Sequence, residues 1–523
     1  MTQFTGQLLG TFFITTCALS AQTAAETARR IQALIQRGDL TSARGQLAEA
    51  IKATPNDASL YNLQGVAQAQ QADLAGAEKS FERAIELSPL FSGAYLNLGH
   101  LYEEASKTDP HAQGKALNVY ERLLDFDPGN VEANFQAAVL FFQKGSFQSS
   151  LEHLLRLPAQ DQEHAPVQSI LCGDLAGQGE QVRAREAAKQ LLQNPDLAEA
   201  NVLSILPTLA KIKDRALALR LLEGLEAKGL AGFDSLEALG MDYKEEGKLD
   251  LARSTLEKAA KLQPNSVPVL ISLAHVAHEQ HDNMGALGYL AHARDLHPQN
   301  AGIHFFWGMV CMEQNLTEEA YRALKKAVSL DPNNAYYNYA AGIATMQHGD
   351  AKESLTYFQK YCELRPQEAR GRLVLGAAYF SSGDDKDAEP LLASILEYPE
   401  IAGAAHYYLG RIANRKGDFT GAIRELRLAL QASPDFADVY VQLGLIYMKQ
   451  KDYAGAQESF EKALKVNPDN FTANLNLLIL YRQVKDPRAE AQAKRFDEVK
   501  EKRAQKAEKS LWSIEAWPDY SEE

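Results

Sequence analysis

Prolines stand 34 residues apart through the second half of this chain: Pro264, Pro298, Pro332 and Pro366 keep that interval, and Pro434 and Pro468 hold the same phase. Pro399 misses the phase by one residue. An interval of this kind argues for repeats over the roughly three or four separate domains that 523 residues would otherwise suggest. Carried backwards, the phase sets frames beginning at 24, 58, 92, 131, 165, 199, 233, 267, 301, 335, 369, 403 and 437, with a partial frame from 471. The frame from 92 to 130 is five residues longer, through the segment around Lys107–Gly114.

Two columns of small residues run through these frames. One reads Gly65, Gly99, Gly240, Gly308, Gly342, Gly376, Gly410 and Gly444, with Ala138 and Ala274 in the same slot. Twelve residues further on comes Ala43, Ala77, Ala184, Ala218, Ala252, Ala286, Ala320, Ala388, Ala422 and Ala456. Ala116 joins this column once the insertion is allowed for, and Ser150 and Ser354 complete it. A slot that admits only small side chains is one where two backbones approach closely.

Within Ala437–Asn470, Tyr440, Leu443, Gly444 and Tyr447 recur at i, i+3, i+4 and i+7, which is one face of a helix. A polar break at Asp452 follows, and Ala456, Phe460 and Ala463 repeat the stripe on a second helix. Pro468 ends that helix because it lacks the amide hydrogen a helix interior needs. Each frame is therefore an antiparallel helix hairpin. Neither helix buries its stripe alone, so the hairpins must stack.

In these residues the chain resembles the tetratricopeptide repeat family. Tyr440, Leu443, Gly444, Tyr447, Ala456, Phe460, Ala463 and Pro468 match its pattern, and Tyr61, Gly65, Ala77, Phe81, Ala84 and Pro89 match nearly as well. The resemblance covers about residues 24 to 484. It implies an all-α fold, a right-handed superhelical α-solenoid of about thirteen antiparallel helix hairpins, with the first helix of each lining a concave groove.

Residues 24–164 and 233–484 read as N-terminal and C-terminal repeat blocks. Between them, 165–232 reads as degenerate repeats: Cys172 and Leu206 replace the glycine, and Leu230 stands where proline is expected. Residues 485–510 are dense in charge, with Glu490–Lys494 and Glu498–Lys502 at helical spacing, and read as a capping helix. Residues 511–523 form a tail carrying Trp512 and Trp517.

Leu8 to Ala21 is an apolar, small-residue run too short to span a bilayer as a helix. Residues 1–21 fit a secretory signal peptide, although no Lys or Arg precedes the run. The expected address is secreted or periplasmic, with possible envelope association through this segment and no transmembrane span in the mature chain; cytoplasmic is the alternative. Cys17 invites a lipoprotein reading, which the bulkier Thr16 before it disfavours. Cleavage near Ala21 leaves Cys172, Cys311 and Cys362, an odd number without C-x-x-C spacing, so no disulfide framework is expected.

A formal net charge of −14, without a long basic block, disfavours nucleic acid as a partner. The expected partner is a protein or peptide. The resemblance places groove-facing side chains three residues before the glycine slot and one, four and five after it. Those positions and one helix start give Met241, Ile271, His275, His278, Phe305, Met309, Met312, Tyr336, Tyr339, Ile343, Met346, Leu373, Phe380, Tyr407, Arg411, Arg415, Leu445 and Met448. Methionine is flexible and polarisable and suits a surface for apolar anchors, with acidic groups of the ligand facing Arg411 and Arg415. The clamp by which some family members grip a carboxylate needs Lys and Asn together in adjacent repeats. Asn62, Val66, Leu96 and His100 fill those slots early, and Tyr339, Ile343, Leu373 and Ala377 later.

Catalytic motifs are not apparent. His275, His278 and His281 follow at three-residue spacing, but the third falls at a helix end and the H-E-x-x-H spacing is not met. Gly177 and Gly179 are loop punctuation between two helices. The repeats consume nearly the whole chain and leave no segment of roughly a hundred residues for a catalytic domain. The reading is a non-enzymatic scaffold or adaptor without cofactor or metal; the alternative is an obligate structural subunit of an envelope or secretion-related assembly, wrapped around its partner.

Overall fold

The computed structural model describes residues 22–505, and the leader and tail readings (1–21 and 511–523) lie outside them. The described residues fold into α-helices joined by short turns. By its contacts the chain divides into two compact units, the first ending at Glu246 and the second beginning at Gly247.

Unit 1 opens with α1 (Gln22–Gln36), α2 (Leu40–Ala53), α3 (Ala58–Gln70), α4 (Leu74–Leu87) and α5 (Ser92–Ala105). It continues through α6 (Ala112–Leu124), α7 (Val131–Lys144), α8 (Phe147–Leu154), α9 (Ala159–Gln162) and α10 (Ala165–Gly177). It closes with α11 (Gln181–Gln193), α12 (Glu199–Leu203), α13 (Leu206–Lys211), α14 (Arg215–Ala227) and α15 (Phe233–Glu245).

Unit 2 opens with α16 (Leu249–Leu262), α17 (Val267–Glu279), α18 (Asn283–Leu296), α19 (Ala301–Glu313) and α20 (Thr317–Leu330). Next come α21 (Ala335–His348), α22 (Ala351–Leu364), α23 (Ala369–Ser382), α24 (Asp385–Ala393) and α25 (Pro399–Arg415). The last are α26 (Phe419–Ala432), α27 (Ala437–Lys449), α28 (Tyr453–Val466), α29 (Phe471–Gln483) and α30 (Ala489–Gln505).

Most hairpins turn the same way, through one left-handed residue; α5–α6, which carries the insertion, has none. Gly349, Gly383 and Gly417 hold φ of 103°, 89° and 82°, and Lys451 follows 34 residues later at 63°. In several hairpins aspartate then starts the second helix: Asp282, Asp418 and Asp452 each accept from the amide of the glycine three residues on, at 2.9 to 3.0 Å. Gly179 stands in the turn column at φ 79°, in agreement with its reading as loop punctuation.

A third device closes the joint between frames. Asn134, Asn338 and Asn474 each donate through Nδ2 to the carbonyl of the proline six residues earlier, Pro128, Pro332 and Pro468, at 3.0 Å. Tyr61 and Tyr95 do the same through their hydroxyls to Pro55 and Pro89. These carbonyls follow a helix C-terminus and would otherwise have no partner from the helix.

The alanine column is packed as its composition demands: Ala77, Ala252, Ala320 and Ala456 are fully buried, whereas Ala218 in a degenerate frame is partly exposed. The glycine column differs from expectation. A Cβ on Gly342 would lie 2.5 Å from Phe358, one on Gly444 2.5 Å from Phe460, and one on Gly376 2.8 Å from Leu392. The nearest neighbour is a large side chain of the second helix rather than its backbone; the glycine makes room for a Phe ring or a leucine.

In the frame from 199, the first helix is broken into α12 and α13 with Pro207 at the restart. Proline offers no amide to the carbonyl four residues back and its ring collides with it. With Leu230 in the proline slot, this frame closes its joint differently: Glu199 accepts from the amides of Gly232 and Ser235 at 2.9 and 3.1 Å and caps α15. Pro399 sits out of phase because it begins α25, which is 17 residues long. Helix α30 takes the place of a second helix: Gln492 donates to the Asn474 carbonyl, Phe496 packs on Phe471, and Arg495 and Lys502 pair with Asp469.

Candidate binding surface

The first helices of unit 2 carry most of the residues expected to line a groove. Met241 is the exception; it lies on α15 in unit 1. Within unit 2, α23, α25, α27 and α29 pack each against the next, as do α19 and α21.

Stacking sorts these side chains into two groups. Phe305, Met312, Tyr339, Ile343, Phe380 and Tyr407 are buried, between 1% and 7% exposed. Phe305 packs on Tyr337 at 4.8 Å between ring centres, Tyr339 on Tyr361 at 5.0 Å, Tyr407 on Phe436 at 5.0 Å, and Phe380 edge-on against Tyr408 at 5.7 Å. Phe305 and Phe380 pack against the next hairpin and Tyr339 against the second helix of its own; all six are buried and offer little open surface, which corrects their assignment as lining residues. The alignment assigns each a helix face, but how closely the neighbouring helices pack decides whether that face is covered.

Ile271, His275, His278, Met309, Tyr336, Met346, Leu373, Arg411, Leu445 and Met448 stay partly exposed, and Arg415 is exposed. His278 is held by the Glu313 carboxylate at 2.8 Å across α17 and α19, and that bond raises its pKa against the opposing effect of burial. The His275 imidazole stacks on Phe306 at 4.2 Å. His281 sits apart in the turn after α17, at φ 61°. Among the described residues no group of three His, Cys, Asp or Glu side chains is placed to hold a metal.

Arg415 already has an internal carboxylate: it bonds Asp385 at 2.8 Å and donates to the Phe380 carbonyl at 3.1 Å. That geometry removes it from the cations open to a ligand. Arg411 lies over the Phe380 ring at 4.6 Å and the Tyr407 ring at 5.4 Å. The cysteines are poorly placed for thiolate chemistry, since burial pushes the Cys311 thiol up to about 12 and Cys362 up to about 11. Sequence reasoning missed Phe306, the platform under His275, and the cations Lys449 and Arg482. Lys449 was reachable, being one frame on from Arg415 in the same register.

Family models described as tetratricopeptide repeat match residues 29–109, 114–171, 233–266, 271–335, 307–369, 339–400 and 437–470, and one described as TPR repeat matches 410–451. The chain belongs to the tetratricopeptide repeat family. Tetratricopeptide repeat proteins generally act as protein–protein interaction scaffolds, and the fold is typically non-enzymatic. Solved structures similar to this chain include a tetratricopeptide repeat protein from Parabacteroides merdae, at 19% identity over 47% of this chain and 98% of that one, with a TM-score of 0.40. The APC/C hetero-tetramer Cut9–Hcn1 aligns at 16% identity over 88% of this chain and 95% of its own, with a TM-score of 0.38. The pilF protein of Pseudomonas aeruginosa aligns at 20% identity over 42% and 96%, with a TM-score of 0.33. No helix among the described residues of this tetratricopeptide repeat chain is long and apolar enough to cross a membrane.

Proposed function

We propose that the chain is a non-enzymatic adaptor that binds a peptide segment of a protein partner along the first helices of unit 2. The observation that carries this reading is the strip of partly exposed apolar side chains, Met309, Met346, Leu373, Leu445 and Met448 foremost, which stacking leaves uncovered while it buries their neighbours. Partly exposed apolar side chains recurring on successive first helices favour a partner, because leaving that surface in water forgoes the gain of burial. Methionine fits varied anchors with little strain. Residues 1–21 add a signal-peptide pattern, so the adaptor is assigned to a secreted or periplasmic setting.

Replacing Met309, Met346, Leu445 and Met448 with Ser in residues 22–523 tests the surface. Partner recovery from envelope and cytosolic fractions should fall at least tenfold while the helical circular dichroism stays unchanged. Equal recovery by both baits would move the binding face elsewhere.

A further inference from the structure

The α25–α29 end of this surface has a charge of its own. At 34-residue intervals, Arg411, Leu445 and Ile479 form one row across α25, α27 and α29, Asn414, Met448 and Arg482 the next, and Arg415, Lys449 and Gln483 the third. Lys449 Nζ donates to Asn414 Oδ1 at 3.1 Å and ties the rows of α25 and α27 together. Ile479 is 44% exposed.

Among the described residues, Arg411, Lys449 and Arg482 contact no carboxylate. Arg411 is held by rings, Lys449 by Asn414 and the Phe419 ring, and Arg482 is exposed. The nearby acidic groups are occupied, Asp385 by Arg415 and Asp438 by Asn470. At the α17–α19 end, by contrast, the side chains are acidic: Glu279, and Glu313 engaged by His278. Three unneutralised cations beside exposed Ile479 and the partly exposed Leu445 and Met448 fit an acidic segment with large apolar residues.

This chain contains such a segment. Residues 510–523 hold Glu515, Asp519, Glu522 and Glu523 and no Lys or Arg, interleaved with Trp512, Ile514, Trp517 and Tyr520. Helix α30 brings the chain to the correct end of unit 2, because Lys502 near its C-terminus bonds Asp469 at 3.0 Å, just before α29 begins. From there Ile479 is eight residues along α29, a rise of about 12 Å, and the intervening residues 506–509 can span roughly 13 Å.

The geometry points to residues 510–523 of the same chain as the occupant of the α25–α29 end, with carboxylates on Arg411, Lys449 and Arg482 and an aromatic side chain on Leu445 and Ile479. This rests on the groove reading above and deepens it: an outside partner engaging this end must carry the same acidic, aromatic chemistry and displace the tail.

Zero-length carbodiimide cross-linking of the full chain, mapped by mass spectrometry, tests it. Lys449 should join Glu515, Asp519 or Glu522 in the monomer band, and the yield should drop at least fivefold in Arg482→Glu, in Arg411→Gln and in 0.5 M salt. No link from Lys449 to the tail, while tail carboxylates join other lysines, overturns the proposal. The same links found only in a dimer band overturn it in favour of a second copy, and an unchanged yield in both variants removes its electrostatic basis. Absent links together with lost partner capture by the four-serine variant would sink the tail proposal and leave the groove reading standing. Links present while that variant still captures its partner would sink the groove reading alone.

Discussion

Lys451 holds at φ 63° the left-handed turn that Gly417 holds at 82° one repeat earlier. Ala72, Lys213, His281, Asn315 and Lys485 share the same register with φ between 57° and 61°, so every left-handed non-glycine among the described residues sits at this one turn. A side chain there costs about 1–2 kcal/mol. Part of that cost is offset because glycine frees the unfolded chain. Lys451→Gly and Ala72→Gly are each expected to stabilise the protein by about 0.5–1 kcal/mol, read as a higher urea midpoint, whereas Gly417→Ala should lower it.

Phe358 fills the space that a Cβ on Gly342 would need, at 2.5 Å. Gly342→Ala should destabilise unit 2 by about 1–3 kcal/mol through overpacking. Phe358→Leu in the same chain should recover part of the loss, because leucine already faces glycine in the Gly376–Leu392 pair. A double-mutant cycle by denaturation measures the coupling; additive losses would show that the two positions do not compete for one space.

Asp174 on α10 is fully buried, and neither carboxyl oxygen has a hydrogen-bond partner among the described residues. Ser150 gives its proton to the Ala138 carbonyl at 2.9 Å instead. Burial pushes the Asp174 carboxyl up to about 8. The folded chain therefore keeps a proton that the unfolded chain loses above its ordinary value of 3.8. Stability must fall as pH rises between those two values, by at most about 1.4 kcal/mol per pH unit. Asp174→Asn should abolish this slope and leave unit 1 more stable than the parent at pH 8, with little difference at pH 4; urea midpoints at the two pH values check it.

The His278–Glu313 bond raises the imidazole pKa. Its contribution is fully present below the unfolded histidine value and is lost as pH rises through the higher folded one. In Glu313→Gln the NMR titration midpoint of His278 should move down, and the protein should lose stability near pH 6 but not at pH 9. An unmoved midpoint would mean that the carboxylate is not the cause.

The hairpin period, the two small-residue columns and the family were legible in the amino-acid sequence because each rests on local rules repeated many times. Proline ends helices, small residues mark close approach, and apolar side chains at helical spacing need a partner. The reading was weaker where one residue type serves two purposes. Gly342 was legible as small, but whether Phe358 or a backbone fills its place depends on the second helix. Tyr61 and Asn338 occupy one register and look unrelated, yet both donate to a proline carbonyl six residues earlier.

The binding surface shows the same division. Sequence alone determined which helix face Tyr339, Phe380, Met309 and Leu445 share, since helical periodicity assigns a side chain its direction. Tertiary structure decided that Tyr339 and Phe380 are buried while Met309 and Leu445 stay partly open. It also decided that Asp385 engages Arg415 while Arg411 is left on aromatic rings. The physical reason is that burial and ion pairing depend on how closely neighbouring helices pack, a distance between elements that no periodicity within one element encodes.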